Sequence, residues 1–212
     1  MKHLLYKDLN LAINKFFFIL PLLLAALMFI PNWIYTIVFM YFFWISMPQI
    51  FGTYIANRDY QMTASLPVSR REIVLSKMFS IFVLEAVHFV LALIFGLIHN
   101  AIYGSMNFFF DINLSFFGLM FVLFGIYNLS FFPTYFKTAY HFGRPAIYGV
   151  IATLVFGFAI EYGIVQFQWM KDVFEGNLSS QILPFAISLV VGVILNVIAI
   201  KRSQNNFKNV DL

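Results

Sequence analysis

Six long apolar stretches constrain the fold of this chain more than any other feature. They cover residues 16–30, 33–56, 78–98, 114–132, 146–169 and 181–200. Each reaches or approaches the about 20 predominantly apolar residues that a helix needs to cross a bilayer. Charged residues make up only 10% of the chain, whereas a soluble domain carries roughly 25%. We therefore predict an all-α polytopic membrane protein with six transmembrane helices.

The distribution of positive charge predicts how these helices are oriented. If the N-terminus is inside, 12 of the 13 Lys and Arg residues fall on the cytoplasmic side, and only Lys171 falls outside. Such a bias is typical of membrane proteins, whose cytoplasmic loops carry the excess of Lys and Arg. The sequence thus predicts a multi-pass plasma-membrane protein with both termini in the cytoplasm. The net charge of +4 is explained by topology, so no nucleic-acid partner is expected.

The N-terminal segment Met1 to Lys15 differs from the apolar stretch that follows it. Its apolar residues recur at helical spacing, and Lys7, Asn10 and Asn14 fall on the opposite side. This pattern favours an amphipathic helix that lies in the inner membrane interface. The alternative is that the segment forms the polar end of the first span.

The one densely charged segment, Ser65 to Lys77, begins the third predicted span. Ser69 and Glu72 have the spacing of a capping box, in which each side chain binds the other residue's backbone N–H. Pro67 is unsuited to a helix interior, so a preceding helix must end near Ser65. Residues Asn57 to Ser65 are therefore predicted to form a short polar helix between the second and third spans.

This region carries a resemblance to a known family. The run from Arg58 to Lys77, with "SLPVSR" at its centre, resembles the segment between spans two and three of ABC-2 type transporter permeases. The "KDL" at Lys7 to Leu9 and the plan of an interfacial helix with six spans are also similar. A narrower similarity is to bacterial permeases that export peptides such as phenol-soluble modulins.

The resemblance implies a coupling helix that sits in a groove of a nucleotide-binding subunit. It assigns the contacts with that ATPase to one set of residues: Asp59, Tyr60, Met62, Thr63, Ser65, Leu66, Pro67, Arg70 and Arg71. A second, smaller coupling loop would include Tyr135, Lys137 and Arg144. Implied partners are two copies of the ATPase, a second permease chain (identical or paralogous), membrane lipids and a hydrophobic or amphipathic substrate.

The sequence offers no catalytic or metal site. It contains no G-x-x-x-x-G-K-[ST] phosphate loop, no HExxH and no G-x-S-x-G. It also contains no cysteine, so no thiolate nucleophile or zinc-binding thiolate is available. We therefore expect a chain that is not an enzyme and binds no cofactor, with ATP and Mg²⁺ on a separate subunit.

Ionisable residues inside the predicted spans support a rival interpretation. Glu85 and His88 lie one turn apart on the third span, and Glu161 lies in the outer half of the fifth. Such residues are costly in a bilayer and are candidates for function. A proton-coupled carrier could use all three, whereas the alternative is a structural role or a position lining a cavity or outer exit.

Two further patterns lie on the second and fifth spans. Ser46, Gln49 and Thr53 recur at helical spacing, and polar residues in a span face protein or water. They could border a translocation path together with Glu161, or form hydrogen bonds between helices. The small residues Gly149, Thr153 and Gly157 favour close helix packing, within the chain or across a dimer interface.

These observations predict one transmembrane domain over residues 1–212 that works as the permease of an ABC exporter. Its predicted parts are the interfacial helix (1–15), spans one and two (16–56), the coupling segment (57–68), spans three and four (69–132), the second loop (133–145), spans five and six (146–200) and the tail (201–212). The alternatives are the proton-coupled carrier and a membrane scaffold or immunity protein.

Overall fold

The structure is a bundle of helices. The computed structural model describes residues 2–12, 19–104, 107–138, 140–208 and 210. Ten α-helices occur in these residues: α1 (Lys2–Ala12), α2 (Ile19–Ala26), α3 (Thr36–Tyr41), α4 (Met47–Ala56), α5 (Asp59–Ala64), α6 (Arg70–Tyr103), α7 (Leu114–Lys137), α8 (Gly143–Gln166), α9 (Gln168–Phe174) and α10 (Leu178–Lys208). The described residues contain no β-strand, in agreement with the predicted all-α class.

Five helical segments of the described chain are long and apolar enough to cross a membrane. They are Thr36–Ala56, Arg70–Tyr103, Leu114–Lys137, Gly143–Gln166 and Leu178–Lys208. The apolar segment Ile19–Phe29, formed by α2 and a 3₁₀ turn, is shorter. Residues 13–18, which belong to the predicted interfacial helix and first span, lie outside the described residues. The first predicted span, and with it the total of six spans, therefore stays a prediction.

The segment Thr36–Ala56 is not a uniform α-helix. A π-helical turn, Phe42–Ser46, joins α3 to α4. Pro48 lies in the first turn of α4 and has no N–H with which to bond the carbonyl of Trp44. A π turn is one way in which a helix absorbs such a missing bond and widens locally. The irregularity near Pro48 therefore lies in the turn that precedes it.

Helices α7 and α10 extend further than the apolar stretches indicate, and α8 begins and ends three residues earlier. α7 continues through Pro133 to Lys137 and α8 begins at Gly143, so the predicted second loop of residues 133–145 shrinks to about five positions, 138–142. α10 continues to Lys208. The Arg70 guanidinium explains part of this extension, because it donates to the backbone oxygens of Phe207 (3.3 Å) and Lys208 (2.5 Å) at the end of α10.

Aromatic rings fill the core of the bundle around α7. The fully buried ring of Phe39 on α3 has Phe89 of α6 and Phe116 of α7 as edge-on neighbours, each with a centroid 5.7 Å away. Nearer the α5 end, Tyr127 stacks on Phe43 with ring centroids 3.9 Å apart and an interplanar angle of 9°. Edge-on and stacked pairs of this kind stabilise a core beyond their buried area.

The small residues of α8 pack against this aromatic core within the chain. A Cβ atom on Gly149 would lie 2.7 Å from the ring of Tyr127, and one on Gly157 would meet the side chains of Met40 and Thr36. Thr153 is fully buried between them, and its hydroxyl donates to the Gly149 carbonyl at 3.0 Å. The row thus lets α8 approach α3 and α7 closely.

Replacing Gly149 by alanine should destabilise the protein by about 1–3 kcal/mol, the usual cost of overpacking. The Tyr127 ring cannot move away easily because Phe43 lies flat against it. Gly52→Ala is the matched control, since a Cβ at Gly52 would have no neighbouring atom within 4 Å. Thermal unfolding in detergent should show a lower melting temperature for Gly149→Ala and an unchanged or slightly higher one for Gly52→Ala. Equal melting temperatures for the two variants would contradict this account.

Candidate functional site

Helix α5 has two different faces. It begins after Arg58, whose backbone is left-handed (φ 48°) and turns the chain away from α4. Asp59 and Thr63, one helical turn apart, are only 3% and 4% exposed, whereas Tyr60 and Met62 are 46% and 49% exposed. One face of this short helix is therefore held against the protein, and the other is free.

The buried face rests on a cluster of two lysines and two aspartates, which we call the charge cluster: Lys7, Asp8, Asp59 and Lys77. Lys7 Nζ lies 2.6 Å from Asp59 Oδ1 and 3.2 Å from Asp8 Oδ1. Lys77 Nζ contacts Asp59 Oδ2 and lies 3.3 Å from Asp8 Oδ1. Each lysine thus binds both aspartates, and the cluster joins α1, α5 and α6 at one point.

Neighbouring polar groups complete the contacts of the charge cluster. The Ser76 hydroxyl donates to Asp8 Oδ2 at 2.6 Å, and Lys7 Nζ donates to the Thr63 hydroxyl at 2.6 Å. Lys77 Nζ also lies 3.5 Å from the centre of the Tyr54 ring, a cation–π contact that links the cluster to α4. Because buried charges are tolerated only when paired and hydrogen-bonded, this completeness makes the cluster compatible with burial.

The pKa of Asp59 depends on both its burial and its two lysine partners. Burial alone would raise it, but the charges and hydrogen bonds of Lys77 and Lys7 outweigh burial, and the pKa is lowered from its usual value. A lowered carboxyl pKa means that ionised Asp59 favours the folded state above the unfolded-state pKa of about 3.9, and that this contribution disappears as the pH falls through the lower folded-state pKa.

The start of α6 confirms the predicted capping box. Ser69 N donates to Glu72 Oε2 at 3.1 Å, and Glu72 N donates to Ser69 Oγ at 3.3 Å. Of the two arginines that follow Ser69, Arg70 is bound to the end of α10, as described above, while Arg71 is exposed. At the start of α6, Arg70 therefore binds the last helix, α10, and Arg71 faces solvent.

A cavity of about 370 Å³ separates α5 from the second loop. Tyr60 faces Tyr140 across it with ring centroids 5.9 Å apart, and Tyr135, His141 and Phe142 also line it. Tyr135 itself is buried, with its ring packed against Phe51 at 4.7 Å. The other two residues assigned to this loop, Lys137 and Arg144, are exposed.

The predicted polar stripe on the second span does not share one environment. Ser46 is fully buried at the end of the π-helical turn, whereas Gln49 is exposed. The Thr53 hydroxyl is turned back to its own helix and donates to the Gln49 carbonyl at 3.0 Å. Ser46, the last residue of the π-helical turn, and Gln49, in the first turn of α4, therefore do not form one polar face with Thr53.

Glu161 lies at the other end of the bundle and is almost fully buried. It accepts hydrogen bonds from the Thr36 hydroxyl and from the Phe110 backbone N–H (3.1 Å). Asp111, which follows Phe110 in the chain, donates its backbone N–H to Glu175 Oε1 at 2.8 Å. Glu161 and Glu175 thus fasten the segment between α6 and α7 to α8 and to the segment after α9.

Glu85 and His88 are both buried but bind different helices. Asn128 of α7 donates to Glu85 Oε2 at 3.0 Å, while the Nε2 atom of His88 lies 3.2 Å from the Val38 carbonyl on α3. They do not form a hydrogen bond with each other in the described structure. In the described part of the chain, no group of three or more His, Cys, Asp and Glu side chains could hold a metal ion.

Sequence reasoning did not assign Lys7, Asp8, Lys77 or Tyr54 to the site. A signal for Lys77 does exist, because it shares a helical stripe with Ile73, Ile81 and Leu84, all of them buried. A lysine on such a stripe needs a buried acidic partner. The choice of Asp59 and Asp8 as those partners depends on the tertiary fold.

The fold and site together define a multi-pass helical membrane protein in which the charge cluster holds a short connecting helix, α5, against α1 and α6. A comparison with protein families agrees: the family described as "ABC-2 family transporter protein" matches residues 3–208. The chain therefore belongs to the ABC-2 transporter family, whose members are the membrane component that works with an ABC ATP-binding partner. No curated protein and no solved structure matched the chain.

Replacing Lys77 by methionine should destabilise the protein by about 3–5 kcal/mol, the cost of removing one partner from a buried ion pair. Methionine retains much of the side-chain length but leaves Asp8 and Asp59 with one cation instead of two. Lys137→Met, which changes an exposed lysine at the end of α7, should alter stability by less than about 0.5 kcal/mol. Thermal unfolding measures both, and a Lys77→Met variant as stable as Lys137→Met would refute the structural role of the cluster.

Asp111 should make stability depend on pH at the other end of the bundle. Burial, with a smaller effect of Glu175, raises its pKa to about 6 from 3.8. The folded state therefore binds the proton more tightly, and the resulting stabilisation is lost as the pH rises through about 6. The difference in melting temperature, Asp111→Asn minus wild type, should therefore be larger at pH 7.5 than at pH 4. We expect this increase to be a few degrees.

The matched control is Asp172→Asn, which neutralises an exposed carboxylate on α9. Its melting temperature relative to wild type should change little between the two pH values. A pH profile for Asp111→Asn that runs parallel to that of wild type would show that Asp111 does not titrate in this way.

Proposed function

We propose that the chain is the permease subunit of an ATP-driven exporter and that α5 is its coupling helix. The observation that supports this most strongly is the division of α5 into a clamped and a free face. A helix that only turned the chain would not need a cluster of four charges, three of them buried, to hold it. A helix that transmits force needs one face fixed rigidly to the protein and another face accessible to the partner.

The division of faces separates the residues that the resemblance assigned to the ATPase. The exposed ones are Tyr60, Met62, Ser65, Leu66, Pro67 and Arg71. We assign contact with the ATPase to this exposed set. Asp59 and Thr63 are turned inward and Arg70 binds the end of α10, so in this proposal they position the dock rather than touch the partner.

The cavity between Tyr60 and Tyr140 extends the proposed dock to the second loop. An aromatic-lined cleft with one rim on α5 suits an apolar or aromatic side chain of the ATPase. Exposed Lys137 and Arg144 lie beside it in sequence and add positive charge to this surface. The second coupling loop would thus contribute mainly through residues 138–142.

Force on α5 would reach several helices at once. Through Lys77 it acts on α6, through Lys7 and Asp8 on α1, and directly on α4, whose end precedes α5 by two residues. The π-helical turn between α3 and α4 is a place where that motion could be absorbed, since π turns are frequent at functional sites. At the opposite end, the hydrogen bonds of Glu161 would keep the outer exit closed until these helices move.

The rest of the proposal follows from the family and the charge distribution. Two permease chains, identical or paralogous, would combine with two ATPase chains that bind ATP and Mg²⁺. The chain would have six spans in a bacterial plasma membrane, with α5 and both termini cytoplasmic. Its substrate would be amphipathic or hydrophobic, for example phenol-soluble modulins or antimicrobial peptides. Ser46, Gln49 and Thr53 would border the pathway.

A proton relay finds less support in the geometry. Glu85, His88 and Glu161 each bond to a different partner, and no chain of hydrogen bonds connects them in the described structure. A relay needs such a connection or water in its place. The ATP-driven permease therefore remains the better explanation.

The proposal predicts that the exposed face of α5 is required to bind the ATPase. Changing Tyr60 and Met62 together to alanine removes two large exposed contacts. If both belong to the centre of the interface, the ATPase should co-purify at about one tenth of the wild-type level or less. The measurement is a detergent pull-down of the tagged chain with the ABC ATPase of the same cells.

Lys201→Ala and Arg202→Ala, which change exposed residues on α10, serve as controls on the same predicted side of the membrane. They should leave co-purification unchanged. Wild-type levels of ATPase with the α5 double variant would exclude α5 as the dock, and a folded wild-type chain that recovers no ATPase would argue against the proposed function itself.

A further inference from the structure

An apolar groove runs between α6, α7 and α10. Its volume is about 530 Å³, which lies in the range of roughly 300–1,000 Å³ that small-molecule sites occupy. Phenylalanines from all three helices line it, among them Phe82, Phe121 and Phe185. Val90 and Val193 of the same lining are each 52% exposed. Since all three helices are candidate membrane spans, the groove opens toward the lipid.

One carboxyl group lies in this apolar lining. Among the described residues that line the groove, Glu85 is the one ionisable residue and Asn196 the single other strongly polar one. Glu85 is 5% exposed and lies near the middle of the 34-residue helix α6. A carboxyl at this depth of a membrane span is expensive and requires a partner.

The hydrogen bonds around Glu85 leave acceptors without donors. Asn128 Nδ2 donates to both Glu85 Oε2 and Asn196 Oδ1 at 3.0 Å, and Asn196 Nδ2 donates to the Gly192 carbonyl at 2.9 Å. Glu85 Oε1 and Asn128 Oδ1 are buried and have no hydrogen-bond partner among the described residues. Both amide N–H₂ groups of this network already donate, and the buried Tyr127 hydroxyl bonds to neither acceptor. The two acceptors therefore receive no hydrogen bond from the described residues.

We propose that this groove binds a lipophilic amine, with the apolar chain between the three helices and the amino group at Glu85. An ammonium group brings three N–H donors and a positive charge to a site with two unpartnered acceptors and one acid. A primary amine can enter the bilayer uncharged and accept the proton of the Glu85 carboxyl, which forms the ion pair in place. A lipophilic alcohol would fill the groove but could not form that pair.

The site is distinct from the proposed ATPase dock. Glu85 lies 15 positions after Arg70 on α6, about 22 Å along the axis at 1.5 Å per residue. The residues that line the groove include no member of the charge cluster and none of the residues that line the cavity at Tyr60. Binding of an amine can therefore be tested without any assumption about the energy source or the exported substrate.

The test uses the purified full chain in phosphatidylcholine nanodiscs and two photoreactive probes. One is dodecylamine with a diazirine in the chain, and the other is the corresponding dodecanol. Mass spectrometry should place the amine adducts on the groove-lining parts of α6, α7 and α10, with competition by unlabelled dodecylamine. Glu85→Gln should lower amine labelling about tenfold, as expected for loss of a charge-assisted hydrogen bond, and leave alcohol labelling unchanged.

Two variants control the test. Glu161→Gln changes another carboxyl buried within a candidate span and should leave labelling by both probes unchanged. Ala86→Phe replaces an exposed residue of the groove lining, fills the groove and should reduce labelling by both probes. Because residue 86 is exposed, this variant carries the test if Glu85→Gln fails to fold.

The proposal is overturned if Glu85→Gln folds and takes up the amine probe as wild type does, if Ala86→Phe leaves amine labelling unaltered, or if the adducts lie outside the groove. Co-purification of the ATPase is measured on the same variants and should remain at the wild-type level. If the amine test fails while ATPase binding is normal, this inference is refuted and the proposed function is not affected.

Discussion

The shared ion pairs of Lys77 are the contact on which the arrangement of the α5 end depends. α5 has six residues, far fewer than a helix needs to be stable alone in water. Its position is therefore determined by what it packs against. Asp59 and Thr63 bind a lysine from α1, Asp59 binds a second lysine from α6, and both lysines also hold Asp8. Removing either lysine would leave buried carboxylates without sufficient positive charge.

This arrangement explains how a short connecting helix can work as a rigid element in an ABC-2 family protein. The side of α5 that faces the chain carries Asp59, which is paired with two lysines, and the side that faces outward carries Tyr60, Gln61 and Met62. Interfaces commonly bury such aromatic and methionine side chains, whereas paired charges hold geometry. In the proposed function, positioning and docking are thus assigned to different residues of the same short helix.

The sequence predicted the helical membrane class, a short helix between spans and the capping box at Ser69 and Glu72, because these features depend on composition and local spacing. It did not predict that Asp59 points inward. The partner Lys7 is 52 positions away, and a helix of six residues is too short for periodicity to distinguish its faces. The π-helical turn at Phe42–Ser46 was likewise not predicted, and neither was the burial of Ser46 beside an exposed Gln49. The groove at Glu85 depends on the packing of α6, α7 and α10 and has no local signature.

Site-specific crosslinking would test the central claim, that α5 meets an ATPase with the face opposite the charge cluster. The chain contains no cysteine, so Met62→Cys and Thr63→Cys each introduce a single reactive thiol without background. The two positions are adjacent, but Met62 is 49% exposed and Thr63 is 4% exposed. With a thiol-to-amine crosslinker in native membranes, Met62→Cys should give an adduct with the ATPase and Thr63→Cys should not. An adduct from Thr63→Cys alone, or none from Met62→Cys in membranes that contain the ATPase, would contradict this account.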